Sequence, residues 1–104
     1  MNKIFLIGRL TKDATLKTTE ENKKPYTKFG LAVDRNKDGE ADFFQVSLWD
    51  KTAENLVPYL NKGKLISIIG TLRNYNYEDE KGERKYYTEV IGEEVKFLEF
   101  KKAE

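Results

Sequence analysis

An alternating stretch at residues 42–49 constrains the fold more than any other part of the chain. Its sequence is Asp-Phe-Phe-Gln-Val-Ser-Leu-Trp, and successive side chains of a β-strand point to opposite faces. One face is an ordinary core face and takes Phe44, Val46 and Leu48. The other face carries Phe43 and Trp49 with polar residues between them. Such rings can stack against unpaired bases, although each ring alone could equally pack under a loop or against another subunit.

Composition excludes several classes of function. The 104 residues suffice for one domain with a single core. Cysteine and histidine are absent, which removes disulfides, thiolate metal sites, the commonest zinc ligand and the usual general base. The net charge is +1, so a basic surface must come from placement rather than from bulk charge. Without a membrane-length apolar run or a signal-peptide pattern, we expect a soluble, intracellular protein.

The first strand is unusual because it is apolar at every position from residue 4 to residue 7. A strand that faces water on one side should alternate, so this run predicts a strand covered on both faces. We expect its own core to cover one face and a partner chain to cover the other. The sequence thus predicts a homo-oligomer with an interface at Ile4, Phe5, Leu6 and Ile7.

The rest of the chain predicts further strands and one helix. The strands are expected at 26–34 and 64–73, in a long hairpin through 74–85 that returns along 86–91, and in a short closing strand at Val95 and Phe97. Helical spacing relates Ala53, Leu56, Val57 and Leu60. We expect a short helix there, capped by Asp50 or Thr52, that ends or kinks near Val57 because Pro58 lacks an N–H donor, with a last turn to Leu60.

These elements together predict the fold class. Five main strands, with one short helix between the third and fourth, indicate an all-β fold: a five-stranded Greek-key barrel of the OB type. We expect it to occupy residues 1–104 as a single domain. In that fold, oligonucleotides bind across the second and third strands. Tyr86 and Tyr87 fall on opposite faces of the return strand, so one of them is expected in the core.

Five segments carry a family resemblance when they are taken together. They are Met-Asn-Lys-Ile-Phe-Leu-Ile-Gly-Arg-Leu at 1–10, Glu-Ala-Asp-Phe-Phe-Gln-Val-Ser-Leu-Trp at 40–49, Lys-Thr-Ala-Glu-Asn-Leu-Val-Pro-Tyr-Leu-Asn-Lys-Gly at 51–63, Ile-Gly-Thr-Leu-Arg at 69–73 and Tyr-Tyr-Thr-Glu-Val at 86–90. In this order they resemble the bacterial and phage single-stranded DNA-binding proteins. The resemblance implies an OB fold, usually a homotetramer, that binds and protects single-stranded DNA without sequence preference in replication, recombination and repair.

The resemblance also implies which residues bind. The stacking positions of the family correspond to Phe43, Trp49 and Tyr77, and its basic contacts to Lys51, Lys62 and Arg73. Strand parity adds Tyr75 to the aromatic set, and Lys28, Arg35 and Lys85 complete the basic set. A further aromatic position, after the second strand, is occupied here by Asn36-Lys37, so one stacking platform is expected to be missing.

Neither catalysis nor a cofactor is expected. Ser47 and Ser67 have no histidine to activate them. Residues 34, 36 and 38 have the spacing of calcium ligands, but Gln45 stands where a bidentate carboxylate is required. A polar turn is therefore expected there instead of a metal site.

Two other binding functions remain open from the residues alone. An OB domain can bind structured RNA or tRNA, and the aromatic residues could form a protein-assembly interface. Members of the resembled family typically carry a linker and an acidic tail that recruits replication and repair proteins. This sequence has Lys-Lys-Ala-Glu at 101–104, so we expect neither a linker nor an acidic tail, and tail-mediated partners are doubtful.

Overall fold

Six strands, one helix and one 3₁₀ turn make up the part of the chain that the computed structural model describes, residues 1–35 and 39–98. In chain order they are β1 (Ile4–Leu10), β2 (Lys17–Thr18), β3 (Pro25–Asp34), β4 (Ala41–Trp49), α1 (Asp50–Leu56), the 3₁₀ turn (Val57–Tyr59), β5 (Leu65–Glu78) and β6 (Arg84–Phe97). Three features of the sequence lie outside the described residues: positions 36 and 38 of the calcium-like spacing, the Asn36-Lys37 pair and the polar end at 101–104.

The five main strands form a closed ring. β1 pairs antiparallel with β5, β5 with β6, and β3 with β4, while β4 and β6 run parallel. The ring closes where Arg9 and Leu10 pair with β3. This close approach requires a glycine at position 8, because a Cβ at Gly8 would overlap the carbonyl oxygen of Ala32. The predicted OB-type Greek-key barrel is confirmed, with β2 added at the edge of β3.

The core lies inside this ring and follows the predicted alternation. Its largest fully buried side chains are Phe29, Leu31, Val46, Leu48, Leu60, Ile66, Ile68 and Val90. On β4, Val46 and Leu48 are fully buried and Phe44 packs against them, whereas Phe43 is exposed on the opposite face. The assignment of the two faces of β4 is therefore confirmed.

The predicted helix is present, but the predicted cap is wrong. α1 ends at Leu56 and the chain continues as a 3₁₀ turn that contains Pro58, as expected from the missing N–H of proline. The residue before the helix is Trp49, which makes no side-chain capping hydrogen bond. β4 runs directly into the helix, and Asp50 accommodates the change of direction with φ +55°, a conformation that aspartate tolerates better than most residues. Its carboxylate pairs with the Lys24 ammonium at 3.7 Å.

The predicted separate closing strand is also wrong, because β6 is one strand from Arg84 to Phe97. Its register shifts once: Ile69 faces Glu94 and Gly70 faces Gly92, which leaves Glu93 as the extra residue of a bulge. A bulge increases the local twist and lets a strand continue past a bend. Thr71 and Lys3 donate hydrogen bonds to the Glu93 carboxylate.

β5 also extends further than expected, to Glu78 instead of residue 73. Together with β6 it leaves the barrel as a two-stranded ribbon, and we call residues 74–87 the hairpin arm. Leu72 has the same parity as the buried Ile66 and Ile68 of β5, but it is exposed because it lies where the ribbon leaves the barrel. No helix among the described residues is long and apolar enough to cross a membrane.

Candidate nucleic-acid interface

One outer face of the sheet collects six aromatic residues. The neighbouring strands β5, β6, β4 and β3 turn one face towards the core and the other outwards. Register places Tyr26 opposite Trp49 and Tyr75 opposite Tyr87 on the outer side. Phe43 and Tyr77 have the same parity as these residues, so all six rings belong to one continuous face, which we call the aromatic face.

Trp49 is the last residue of β4 and lies opposite Tyr26 on the aromatic face. Its ring stacks on Tyr26 with centroids 4.9 Å apart and planes 22° apart, an offset arrangement that aromatic pairs favour. Trp49 lines a groove of about 390 Å³, the Trp49 groove, together with Lys24, Thr71, Arg73, Tyr75, Ile91 and Glu93. This groove places two cationic side chains beside two aromatic rings.

Phe43 is 72 % exposed, which is unusual for a phenylalanine on a sheet. It lines a second groove of about 510 Å³, the Phe43 groove, together with Thr11, Lys28, Gly30, Phe44, Gln45, Tyr87, Thr88 and Glu89. A ring this exposed can accept a planar partner on its face without displacing any protein atom.

Tyrosines continue the aromatic face along the hairpin arm. Tyr75 stacks on Tyr87, with centroids 5.0 Å apart and an angle of 18° between the planes. Tyr77 meets Tyr87 edge-on at 6.3 Å. The expectation that either Tyr86 or Tyr87 lies in the core is wrong, since they are 72 % and 42 % exposed. The reason is that both lie on the arm, beyond the end of the barrel.

The six predicted basic residues do not form one cluster. Arg73 lines the Trp49 groove and Lys28 the Phe43 groove. Lys85 lies on the arm opposite Tyr77 and near the carboxylates of Asp79 and Glu83.

The other three predicted cations lie away from the two grooves. Arg35 binds the carboxylates of Glu40 and Asp42 at 3.0 and 2.9 Å. Lys51 is exposed on α1. Lys62 lies in the turn before β5, where its backbone N–H donates to Asp13. None of these three is among the side chains that line the Trp49 or Phe43 grooves.

Ser47, one of the polar residues between Phe43 and Trp49 on this face of β4, is fully buried. Its hydroxyl donates to Glu89 Oε2 at 2.9 Å, and Glu89 is itself 1 % exposed. The Trp49 indole Nε1–H donates to Ser47 Oγ at 3.0 Å. The Lys28 Nζ lies 3.4 Å from Glu89 Oε1. A polar network thus lies directly beneath the rings.

Three residues of this face were missed by sequence reasoning: Tyr26, Tyr87 and Lys24. Tyr26 and Tyr87 are found only through cross-strand register, which pairs each with an aromatic residue already singled out. Lys24 belongs to the polar loop before β3, where nothing in the local pattern indicates that it lines a groove. Among residues 1–35 and 39–98, no three acidic side chains come together as a metal site.

Comparison with known proteins gives a consistent result. The single-strand binding protein family matches residues 1–98. Single-stranded DNA-binding protein 1 of Clostridium acetobutylicum is 49 % identical over 107 residues, which cover 98 % of this chain and 97 % of that protein. The single-stranded DNA-binding protein of Clostridium tetani is 52 % identical over 104 residues, 96 % of this chain and 72 % of that protein. The protein of the same name from Bacillus cereus is 47 % identical over 104 residues, 95 % of this chain and 61 % of that protein.

Proposed function

The chain belongs to the single-strand binding protein family, and on that premise we propose that its aromatic face binds single-stranded DNA without sequence preference. It protects the strand during replication, recombination and repair. The protein acts by binding and performs no catalysis. We also infer that residues 1–104 form a single DNA-binding domain and that the protein works in the cytoplasm of a bacterial cell or a phage-infected host, where its ligand arises.

The observation that carries this proposal is the row of rings on one outer face. Phe43 is largely exposed, and the stacked pairs Tyr26–Trp49 and Tyr75–Tyr87 extend the same surface onto the hairpin arm. Every base has a π-face, so stacking on such a row tolerates any sequence and contributes about 1–3 kcal/mol per base. We propose that the bases stack on the four predicted platforms, Phe43, Trp49, Tyr75 and Tyr77.

Phosphate contact is proposed for the basic residues around the rings. Phosphate contact is best supported for Arg73 and Lys24, because both side chains line the Trp49 groove. Lys28, Arg35, Lys51, Lys62 and Lys85 stay predictions. Four of the basic side chains already face carboxylates and would have to exchange an acidic partner for a phosphate: Lys24, Lys28, Arg35 and Lys85.

The test is a titration with oligo-dT, followed by the fluorescence of Trp49, which is the only tryptophan. Stacking against a base should quench the indole, and duplex DNA should quench it far less because its bases are already stacked and paired. The logarithm of the binding constant should fall with the logarithm of salt concentration, with a slope of about −0.7 per phosphate neutralised. Binding without quenching at low salt would contradict the stacking role of Trp49.

The same titration separates the alternative functions. A clear preference for RNA of the same length would favour an RNA-binding domain, because only RNA offers a 2′-hydroxyl. Failure to bind any oligonucleotide would favour an assembly domain in which the rings contact another protein. A matched oligo-dC and oligo-dA series should give similar affinities if the proposal is right.

A further inference from the structure

A buried carboxylate lies beneath the aromatic face and takes no direct part in the proposed stacking. Glu89 has the outward parity of its neighbours Tyr87 and Ile91, yet it is 1 % exposed. Burying a carboxylate is costly unless donors hold it. Ser47 donates to its Oε2 at 2.9 Å, and the Lys28 ammonium faces its Oε1 at 3.4 Å.

The chemistry of this carboxylate fixes the direction of the hydrogen bonds above it. An ionised carboxylate can only accept, so the single hydroxyl proton of Ser47 must point towards Glu89. The lone pairs of the Ser47 oxygen then face the Trp49 indole, whose Nε1–H can only donate and lies 3.0 Å away. The order Trp49 to Ser47 to Glu89 therefore satisfies the indole N–H and the Ser47 hydroxyl, while Glu89 Oε1, which accepts no hydrogen bond from the described residues, faces the Lys28 ammonium at 3.4 Å.

This network complements the contact with Tyr26. The stack on Tyr26 restrains the plane of the indole, but it does not determine which edge of the ring points inwards. The hydrogen bond to Ser47 does, because only one edge of the indole carries the N–H. Together the two contacts hold the ring in one orientation with its remaining surface towards the Trp49 groove.

We infer that Ser47 and Glu89 are positioning residues that hold Trp49 ready to stack on a base, with Lys28 as the counter-charge of Glu89. The inference rests on the proposed function. Neither Ser47 nor Glu89 needs to contact DNA, since both are buried. They contribute by fixing the ring before binding, so that less side-chain freedom is lost when a base arrives.

The decisive variant is Ser47→Ala, which removes the acceptor of the indole N–H but no groove-lining side chain. We expect oligo-dT affinity to fall about two- to tenfold, the factor that corresponds to one hydrogen bond. The salt slope should stay unchanged because no phosphate contact is lost. The single indole N–H resonance of the protein should shift. Ser67→Ala is the matched control: Ser67 is also a buried serine, on β5, away from both grooves, and its loss should leave affinity and resonance unaltered.

A double-mutant cycle separates positioning from general damage. Trp49→Phe keeps a ring that can stack but has no N–H to donate, so adding Ser47→Ala to it should cost nothing further in binding, measured with a labelled oligonucleotide. An undiminished loss in the Trp49→Phe background would overturn the inference. Should Ser47→Ala fail to fold, Ser47→Cys makes the same test, because it fills similar space with a weak acceptor.

The outcomes also separate this inference from the proposed function. If the unaltered protein does not bind oligo-dT, the proposed function fails. If it binds and Ser47→Ala binds equally well, the function stands and the positioning role of Ser47 and Glu89 is wrong.

Discussion

Phe43 and Phe29 are the same residue type on opposite faces of one sheet, and the contrast between them tests the assignment of these faces. Phe43 is 72 % exposed and Phe29 is fully buried. Phe43→Ala should weaken oligo-dT binding by about 1–3 kcal/mol through the lost stack. It should change the free energy of unfolding by less than about 0.5 kcal/mol, as is usual for surface substitutions.

Phe29→Ala is the matched control and should behave in the opposite way. Removing a fully buried ring leaves a cavity and should cost about 3–5 kcal/mol of stability. Urea unfolding measures the change in stability of each variant, and the oligo-dT titration measures the change in its affinity for DNA. A stability loss at Phe43 with unchanged affinity would show that this ring packs against protein and not against DNA.

Glu93 allows a prediction about pH. The hydrogen bonds from Lys3 and Thr71 lower the pKa of Glu93 below its ordinary value. A carboxyl group whose pKa is lower in the folded state stabilises the fold above its unfolded pKa, and this contribution is lost as pH falls through the folded pKa. Glu93→Gln should therefore reduce stability at neutral pH and make it less sensitive to acid. Unfolding by urea at pH 7 and at pH 3 measures the difference.

The control for this prediction is the neighbouring glutamate. Glu94→Gln removes the same charge one residue further along β6 and leaves the contacts of Glu93 intact. Because Lys3 and Thr71 still donate to Glu93 in this variant, the acid-dependent loss of stability that these contacts cause should persist. If the two variants lose the same stability between pH 7 and pH 3, the contacts of Glu93 at the bulge are not the cause of the acid sensitivity.

At the scale of the element, the hairpin arm has the least support from the rest of the molecule. Two strands form it, and no described layer covers them beyond the barrel. Amide hydrogens at 79–83 should therefore exchange much faster than those at 66–68 in the buried part of β5. Asp79 accepts from the backbone N–H groups of Lys81 and Glu83, so Asp79→Ala should accelerate exchange at the tip. Equal protection of the tip and the barrel would contradict this picture.

The alternation of residue types predicted the features that depend on one strand alone, as residues 42–49 illustrate. Alternation assigned Phe43 and Val46 to their correct faces, because the face that a side chain occupies depends only on its position along its own strand. The pairing of Tyr26 with Trp49 depends on register between strands, and the partner of the buried Ser47 hydroxyl is Glu89, which lies 42 residues away. Neither leaves a local signal.

The bulge explains the main error in the elements. The extra residue at Glu93 breaks the alternation of β6, so that a single strand gives the pattern of two. The position of Lys24 could not be predicted for a related reason. A loop has no period, and only the folded chain brings this side chain to the Trp49 groove.

At the scale of the whole molecule, closure of the barrel leaves an apolar surface on its outside. Of the four residues predicted at an interface, Ile4 and Leu6 pack against the core, whereas Phe5 and Ile7 point outwards and are 62 % and 49 % exposed. They line a cavity of about 610 Å³ with Gly8, Arg9, Ala32, Val33, Asp34 and Leu65. An exposed apolar patch of this kind is typical of a contact between chains.

We therefore propose that a second copy of the chain covers Phe5 and Ile7, and that a tetramer forms from two such dimers. Phe5→Lys or Ile7→Lys places a charge in the apolar contact and should dissociate the assembly, whereas the core beneath, with Leu6, stays intact. Leu16→Lys is the matched control, because Leu16 is about as exposed but lies outside the patch. Sedimentation at micromolar concentration distinguishes the species. A monomer for the unaltered protein would refute the interface, and dissociation by Leu16→Lys as well would show that added charge alone is responsible.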